Sequence, residues 1–95
     1  MLESKLKSDQ RKHFEAKGWK FAQFGNDAPT GFPDTICLSP VGDVCFVEWK
    51  RSKNAKKQPL QEYWNEKLND MGFEAWFVYP ENLEEWKLWM NLTIY

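Results

Sequence analysis

The sequence predicts an α/β fold of element order αβββαβα, with a mixed central sheet flanked by helices. Three observations carry that expectation. Helical apolar periods alternate with short β-rich runs. A Pro-Val-Gly segment between two of those runs has the chemistry of a hairpin loop. A helix separates the third strand from the fourth, which demands a crossover and so places a parallel pair in an otherwise antiparallel sheet. At 95 residues, one domain over residues 1–95 is the natural count.

The first helix is read over residues 2–17, where Leu2, Leu6, Gln10, His13, Phe14 and Lys17 fall on one side and Gly18 supplies the stop. Residues 19–24 read as a short strand, with Trp19 and Phe21 alternating against Lys20 and Ala22, and residues 25–32 as a loop rich in turn formers. Residues 35–39 and 43–49 form the hairpin. Pro40 suits the first position of a type I turn and Gly42 the left-handed residue of a bulge, giving a three-residue loop that pairs Ser39 with Asp43, Ile36 with Phe46 and Asp34 with Glu48. In that register Asp34, Ile36, Leu38, Val44, Phe46, Glu48 and Lys50 share one face. The apolar members bury it, and Asp34, Glu48 and Lys50 gather at its open end. Cys37 faces Cys45 on the opposite side. A two-residue loop at Val41 and Gly42 would put Asp34 and Glu48 on opposite faces instead.

Residues 51–57 form a basic loop. Gln58-Pro59 opens a second helix, with Leu60, Trp64, Leu68 and Met71 as its apolar stripe and Gly72 as its stop. Residues 73–79 are apolar enough for a buried strand, ended by Pro80. Asn82 with Glu85 resembles a capping box and opens a last helix carrying Leu83, Trp86 and Met90.

Composition narrows the functional classes. A hydrophobic content of 42% without low-complexity runs excludes disorder. So small a domain has a thin core, which six Trp and seven Phe reinforce. The same aromatics suit an interface, so a homodimer is expected, with Trp86, Trp89 and Tyr95 as its candidate contacts. No apolar run is long enough to span a bilayer, and Glu3 and Lys5 do not suit a secretion signal, so the expected location is cytoplasmic, without membrane contact. Two Cys and one His cannot furnish a four-ligand zinc site, and Cys37 and Cys45 read as reduced core thiols rather than a bridge. The formal net charge of −1 is unevenly spread: residues 1–20 carry +3, 21–48 carry −4, 49–61 carry +5 and 62–95 carry −5. A basic block directly after an acidic one leaves nucleic acid open as a partner, because phosphate contacts need only a local positive surface.

The chemistry concentrates in Gly31-Phe32-Pro33-Asp34, then Glu48-Trp49-Lys50 on the returning strand, then Gln61 on the following helix. Glu-x-Lys alone is uninformative, since the chain has four such pairs, beginning at Glu3, Glu15, Glu48 and Glu85. Only the third lies on a strand paired with a Pro-Asp. Asp34 and Glu48 are then two carboxylates beside the Lys50 ammonium at one strand end. Joined to an early helical Glu3 and a helix ended by Gly72, this order of residues resembles the VRR-NUC family of the PD-(D/E)XK nuclease superfamily, over about residues 3–79, nearly the whole chain.

The resemblance implies a restriction-endonuclease-like core. It implies Asp34, Glu48, the backbone carbonyl of Trp49 and Glu3 as metal ligands, Lys50 as the group that orients water or stabilises negative charge, and Gln61 as a brace. Asp9 is the nearest rival to Glu3. Arg51, Lys53, Lys56 and Lys57 are the candidate phosphate contacts. The implied function is a Mg²⁺- or Mn²⁺-dependent DNA endonuclease leaving 5′-phosphate and 3′-hydroxyl ends, structure-specific for four-way junctions, flaps or other branched DNA. It implies no organic cofactor, and a small stand-alone protein of the phage or bacterial type, in the host cytoplasm if phage-encoded. The alternatives are a catalytically silent nucleic-acid-binding module on the same fold, and a nuclease of ordinary duplex or single-stranded DNA.

Overall fold

The structure is a computed structural model that describes residues 2–94. In chain order it contains α1 (Glu3–Glu15), β1 (Lys20–Gln23), β2 (Thr35–Leu38), β3 (Val44–Trp49), α2 (Pro59–Asp70), β4 (Glu74–Val78), a 3-10 turn (Pro80–Asn82) and α3 (Leu83–Thr93). The four strands lie in the order β1-β2-β3-β4. The first three are antiparallel neighbours, and β4 runs parallel to β3 after the α2 crossover. The mixed α/β architecture anticipated from the sequence is present.

The hairpin register matches the three-residue loop. Ile36 pairs with Phe46 and Cys37 with Cys45, Ser39 N–H donates to the Asp43 carbonyl at 2.8 Å, and Gly42 takes φ +94°. Side chains therefore alternate between two layers. One face holds Cys37, Cys45, Val47 and Trp49 against Leu6 and Phe14 of α1 and Trp86 and Met90 of α3. The other holds Phe46 and Ala75 against Leu68 of α2, with Phe32, Ile36 and Val44 at its margin. Both cysteines are free and fully buried. Burial pushes both thiols up, Cys45 to about 12, so they behave as inert core groups.

Several expectations shift. Leu2, His13 and Lys17 are exposed, and α1 buries Leu6, Gln10 and Phe14. Leu60 and Met71 are also exposed, because α2 presses onto the sheet through Leu68. β4 is an edge strand, with Trp76 and Phe77 half-buried, rather than a fully buried one. The Asn82 side chain does not cap α3; it accepts from Tyr79 N–H at 2.9 Å and donates to the Phe77 carbonyl at 2.8 Å, closing the end of β4. Of the aromatics read as dimer contacts, Trp86 is fully buried and Trp89 is half-buried against Trp19. Tyr95 lies outside the described residues. The exposed apolar side chains of α3 are Leu88 and Leu92.

Gly31 fixes how the loop before β2 meets α2. Its φ is +84°, and a Cβ there would stand 2.6 Å from both the carbonyl carbon and Cβ of Leu60 and 2.9 Å from the Gln61 nitrogen. Only a residue without a side chain allows that approach. Gly31→Ala is expected to cost at least the roughly 1–3 kcal/mol of a left-handed non-glycine backbone, and so to lower Tm by about 4 °C or more. Thermal unfolding followed by circular dichroism checks this, and an unchanged Tm would show that the loop and α2 are not in the tight contact described.

Candidate active site

The end of the hairpin and the first turns of α1 and α2 converge on one polar cluster. Asp34 immediately precedes β2, and its backbone N–H donates to Glu48 Oε1 at 3.1 Å, which brings the two carboxylates together across the strands. Gln61, in the first turn of α2, donates from Nε2 to Glu48 Oε2 at 3.4 Å. Its Oε1 accepts from Lys50 Nζ at 2.8 Å and from Gln58 N–H at 3.0 Å. Lys50 is buried, and its ammonium also reaches the Lys56 carbonyl at 3.1 Å. A buried ammonium needs such oxygens to offset its desolvation.

A second chain of bonds holds Asp34 from the core side. Trp49 Nε1 donates to Thr35 Oγ1 at 2.9 Å, and Thr35 Oγ1 lies 2.9 Å from Asp34 Oδ2. An indole N–H can only donate, so the Thr35 hydroxyl accepts from Trp49 and is left to donate its own hydrogen to Asp34. Oδ2 also receives Lys7 Nζ at 3.1 Å.

These groups border a cleft of about 220 Å³ lined by Glu3, Ser4, Lys7, Asp34, Glu48 and Trp49. Its three carboxylates against one ammonium leave the lining two negative charges in excess. Glu48 records the crowding: its carboxyl is raised above the usual range chiefly by burial, with the Asp34 and Glu3 charges adding to that rise, against the opposing pull of Lys50 and the Asp34 N–H. Hard carboxylate oxygens with an excess charge of two suit a divalent cation such as Mg²⁺ or Mn²⁺. Among the described residues no three Asp, Glu, His or Cys side chains are gathered closely enough to hold a metal ion together. Mg²⁺ commonly takes only one or two carboxylates and fills its shell with water.

The structure thus brings together Asp34, Glu48, Lys50 and Gln61, with Glu3 on the cleft wall. Asp9 does not line that cleft; it is engaged by Lys5 at 3.2 Å on an exposed face. In the basic loop, Arg51, Lys53 and Lys56 are exposed, while the Lys57 ammonium sits 4.8 Å over the Phe77 ring. The loop is tethered by the Lys53 N–H on Glu81 at 3.2 Å. Lys7 and Thr35 lie outside the set that the sequence motif marks. Lys7 was findable, standing four residues after Glu3 on the same helical face; Thr35 was not, because its role depends on where the Trp49 ring lies.

No family model matches the chain, and comparison with curated proteins gives no match. Among solved structures the chain is similar to one described as a "VRR_NUC domain", with a TM-score of 0.72 and 28% sequence identity, covering 81% of this chain and 82% of that one. The mixed sheet with Asp34 and Glu48-Trp49-Lys50 at the ends of adjacent strands, joined to that likeness, defines a nuclease-domain fold of the PD-(D/E)XK kind. Within it, the likeness is to a VRR-NUC domain.

The raised carboxyl of Glu48 sets a pH dependence. A carboxyl whose folded pKa lies above its unfolded value favours folding while protonated, and that advantage is lost as pH rises through the folded value. In EDTA, Glu48→Gln is therefore expected to unfold at a higher temperature than the wild type at pH 7.5, with the gap closing as pH falls into the carboxylate range. A wild type that is the more stable of the two at pH 7.5 would contradict the strain assigned to Glu48.

Proposed function

We propose that this chain is a divalent-metal-dependent DNA endonuclease, structure-specific for branched DNA and acting as a homodimer. The observation that carries the reading is the continuous set of bonds joining Asp34, Glu48, Gln61 and Lys50 at the mouth of a cleft with an excess of two negative charges. Asp34, Glu48, Glu3 and the Trp49 carbonyl would hold Mg²⁺ or Mn²⁺, which supplies charge neutralisation and a water of lowered pKa when bound.

The remaining work falls to the chain itself. Asp34 is fixed by Thr35 through one oxygen, which leaves the direction of the other defined. Glu48 is held by the Asp34 N–H through Oε1 and by Gln61 through Oε2. The Lys50 ammonium, anchored on Gln61 and the Lys56 carbonyl, orients the attacking water or stabilises charge developing on the phosphate. Arg51, Lys53, Lys56 and Lys57 follow β3 directly and would contact flanking phosphates. The products would carry 5′-phosphate and 3′-hydroxyl ends. A symmetric second subunit would supply the second site that a branched substrate calls for.

A panel of labelled linear duplex, single-stranded, flap and four-way DNA in Mn²⁺, with product-end analysis, tests the reading. Faster cleavage of branched than of linear substrates is expected. Equal rates would remove the branch preference, and DNA binding without cleavage in any metal would favour a silent binding module. Asp34→Ala is expected to abolish Mn²⁺ binding and cleavage while largely sparing DNA affinity. Lys50→Ala is expected to lower kcat by about 10²–10³, and Gln61→Ala by about 10–100-fold.

A further inference from the structure

Lys7 is the one cation lining the acidic cleft among the described residues, and its ammonium rests on an oxygen of the carboxylate that leads the site. The contact spans 27 positions of sequence, so it belongs to the packing of α1 against the strands and not to local helix pairing. Leu6 and Gln10, on either side of Lys7 along α1, are both buried, which holds the helix in place while the lysine's own four-carbon stem remains free to swing. The pair is half-exposed, with Lys7 at 27% and Asp34 at 40% of full side-chain exposure, so it is weak enough to be exchanged.

We propose that Lys7 is a displaceable counter-ion of Asp34 that couples metal binding to DNA binding. The inference rests on the metal-dependent reading given above. Without metal, Lys7 neutralises part of the cleft's charge and limits repulsion among Glu3, Asp34 and Glu48. A divalent cation at Asp34 competes with the ammonium for the same carboxylate and repels it. Lys7 then leaves Asp34 but stays at the cleft wall, since its helix is fixed, and its charge becomes available to a DNA phosphate entering the site. Metal therefore raises DNA affinity partly through Lys7, and by linkage DNA raises metal affinity by the same factor.

Substitution at Lys7 separates this role from a structural one. Calorimetric titration of the full chain with Mn²⁺ in the absence of DNA is expected to show Lys7→Met binding about two- to fivefold tighter than the wild type, the scale of a half-exposed ion pair. Lys7→Arg, whose fork can grip Asp34 through two bonds, is expected to bind Mn²⁺ no more tightly than the wild type. With Ca²⁺ in place of Mn²⁺, the salt dependence of duplex binding by fluorescence anisotropy should be shallower by about one unit of slope in Lys7→Met. Lys7→Gln serves as a second neutral variant, and a thermal melt confirms that each variant is folded. Neutral variants that bind Mn²⁺ as weakly as the wild type or more weakly, or that keep the full salt slope, overturn the proposal. A wild type that takes no Mn²⁺, or an Asp34→Asn variant that takes it as well as the wild type does, overturns the underlying metal reading, and the Lys7 proposal falls with it.

Discussion

The register between β2 and β3 is the constraint on which the rest of the site depends. Ser39 sets it: its hydroxyl oxygen accepts from Val41 and Asp43 N–H at 3.1 and 2.8 Å, and its own N–H donates to the Asp43 carbonyl. Gly42 completes the loop with a backbone that other residues adopt only under strain. A slip of one residue would invert one strand against the other, sending either Cys37 or Cys45 and Val47 out of the core and separating Asp34 from Glu48. The fully buried cysteines and valine resist that slip, so the core enforces the geometry of the carboxylates at the strand ends.

Core and site are also joined by side chains. Trp49 packs among Phe21 and Trp86 in the main apolar cluster, yet its indole N–H reaches the Thr35 hydroxyl that in turn holds Asp34. On the other layer, Gly31 lets the loop before β2 lie against the first turn of α2, where Gln61 spans Glu48 and Lys50. Asp34 and Glu48 are thus held from both sides of the sheet. That rigidity counters the repulsion between the crowded carboxylates.

Much of this was legible in the sequence. The turn chemistry of Pro40 and Gly42 gave the register, and with it the shared face of Asp34, Glu48 and Lys50; the placement of Gln61 followed from Pro59 starting a helix. The failures share a cause. Helical and strand periodicity marks which side chains can be buried, but not which neighbour arrives to bury them. Leu60 and Met71 fit a helical stripe and are exposed because α2 reaches the sheet chiefly through Leu68. Trp86 looked available to a partner and instead fills the space between Phe14 and Trp49. Asn82 had the right spacing for a cap and was drawn to the end of β4 by two backbone groups there. Lys7 and Thr35 act through contacts made only once α1 and the Trp49 ring are in place.

The charge balance takes on meaning at the same point. Overall the chain is nearly neutral, with a formal net charge of −1, but the cleft concentrates three carboxylates beside a buried lysine and next to a basic loop. The negative charge there is what a divalent cation would cancel, leaving a surface suited to phosphate. The most direct test is an anomalous difference map from crystals soaked in Mn²⁺. A peak is expected between Asp34 and Glu48, within coordination distance of the Trp49 carbonyl; no peak there at saturating Mn²⁺, or a peak at another group of side chains, would contradict a metal site at these carboxylates.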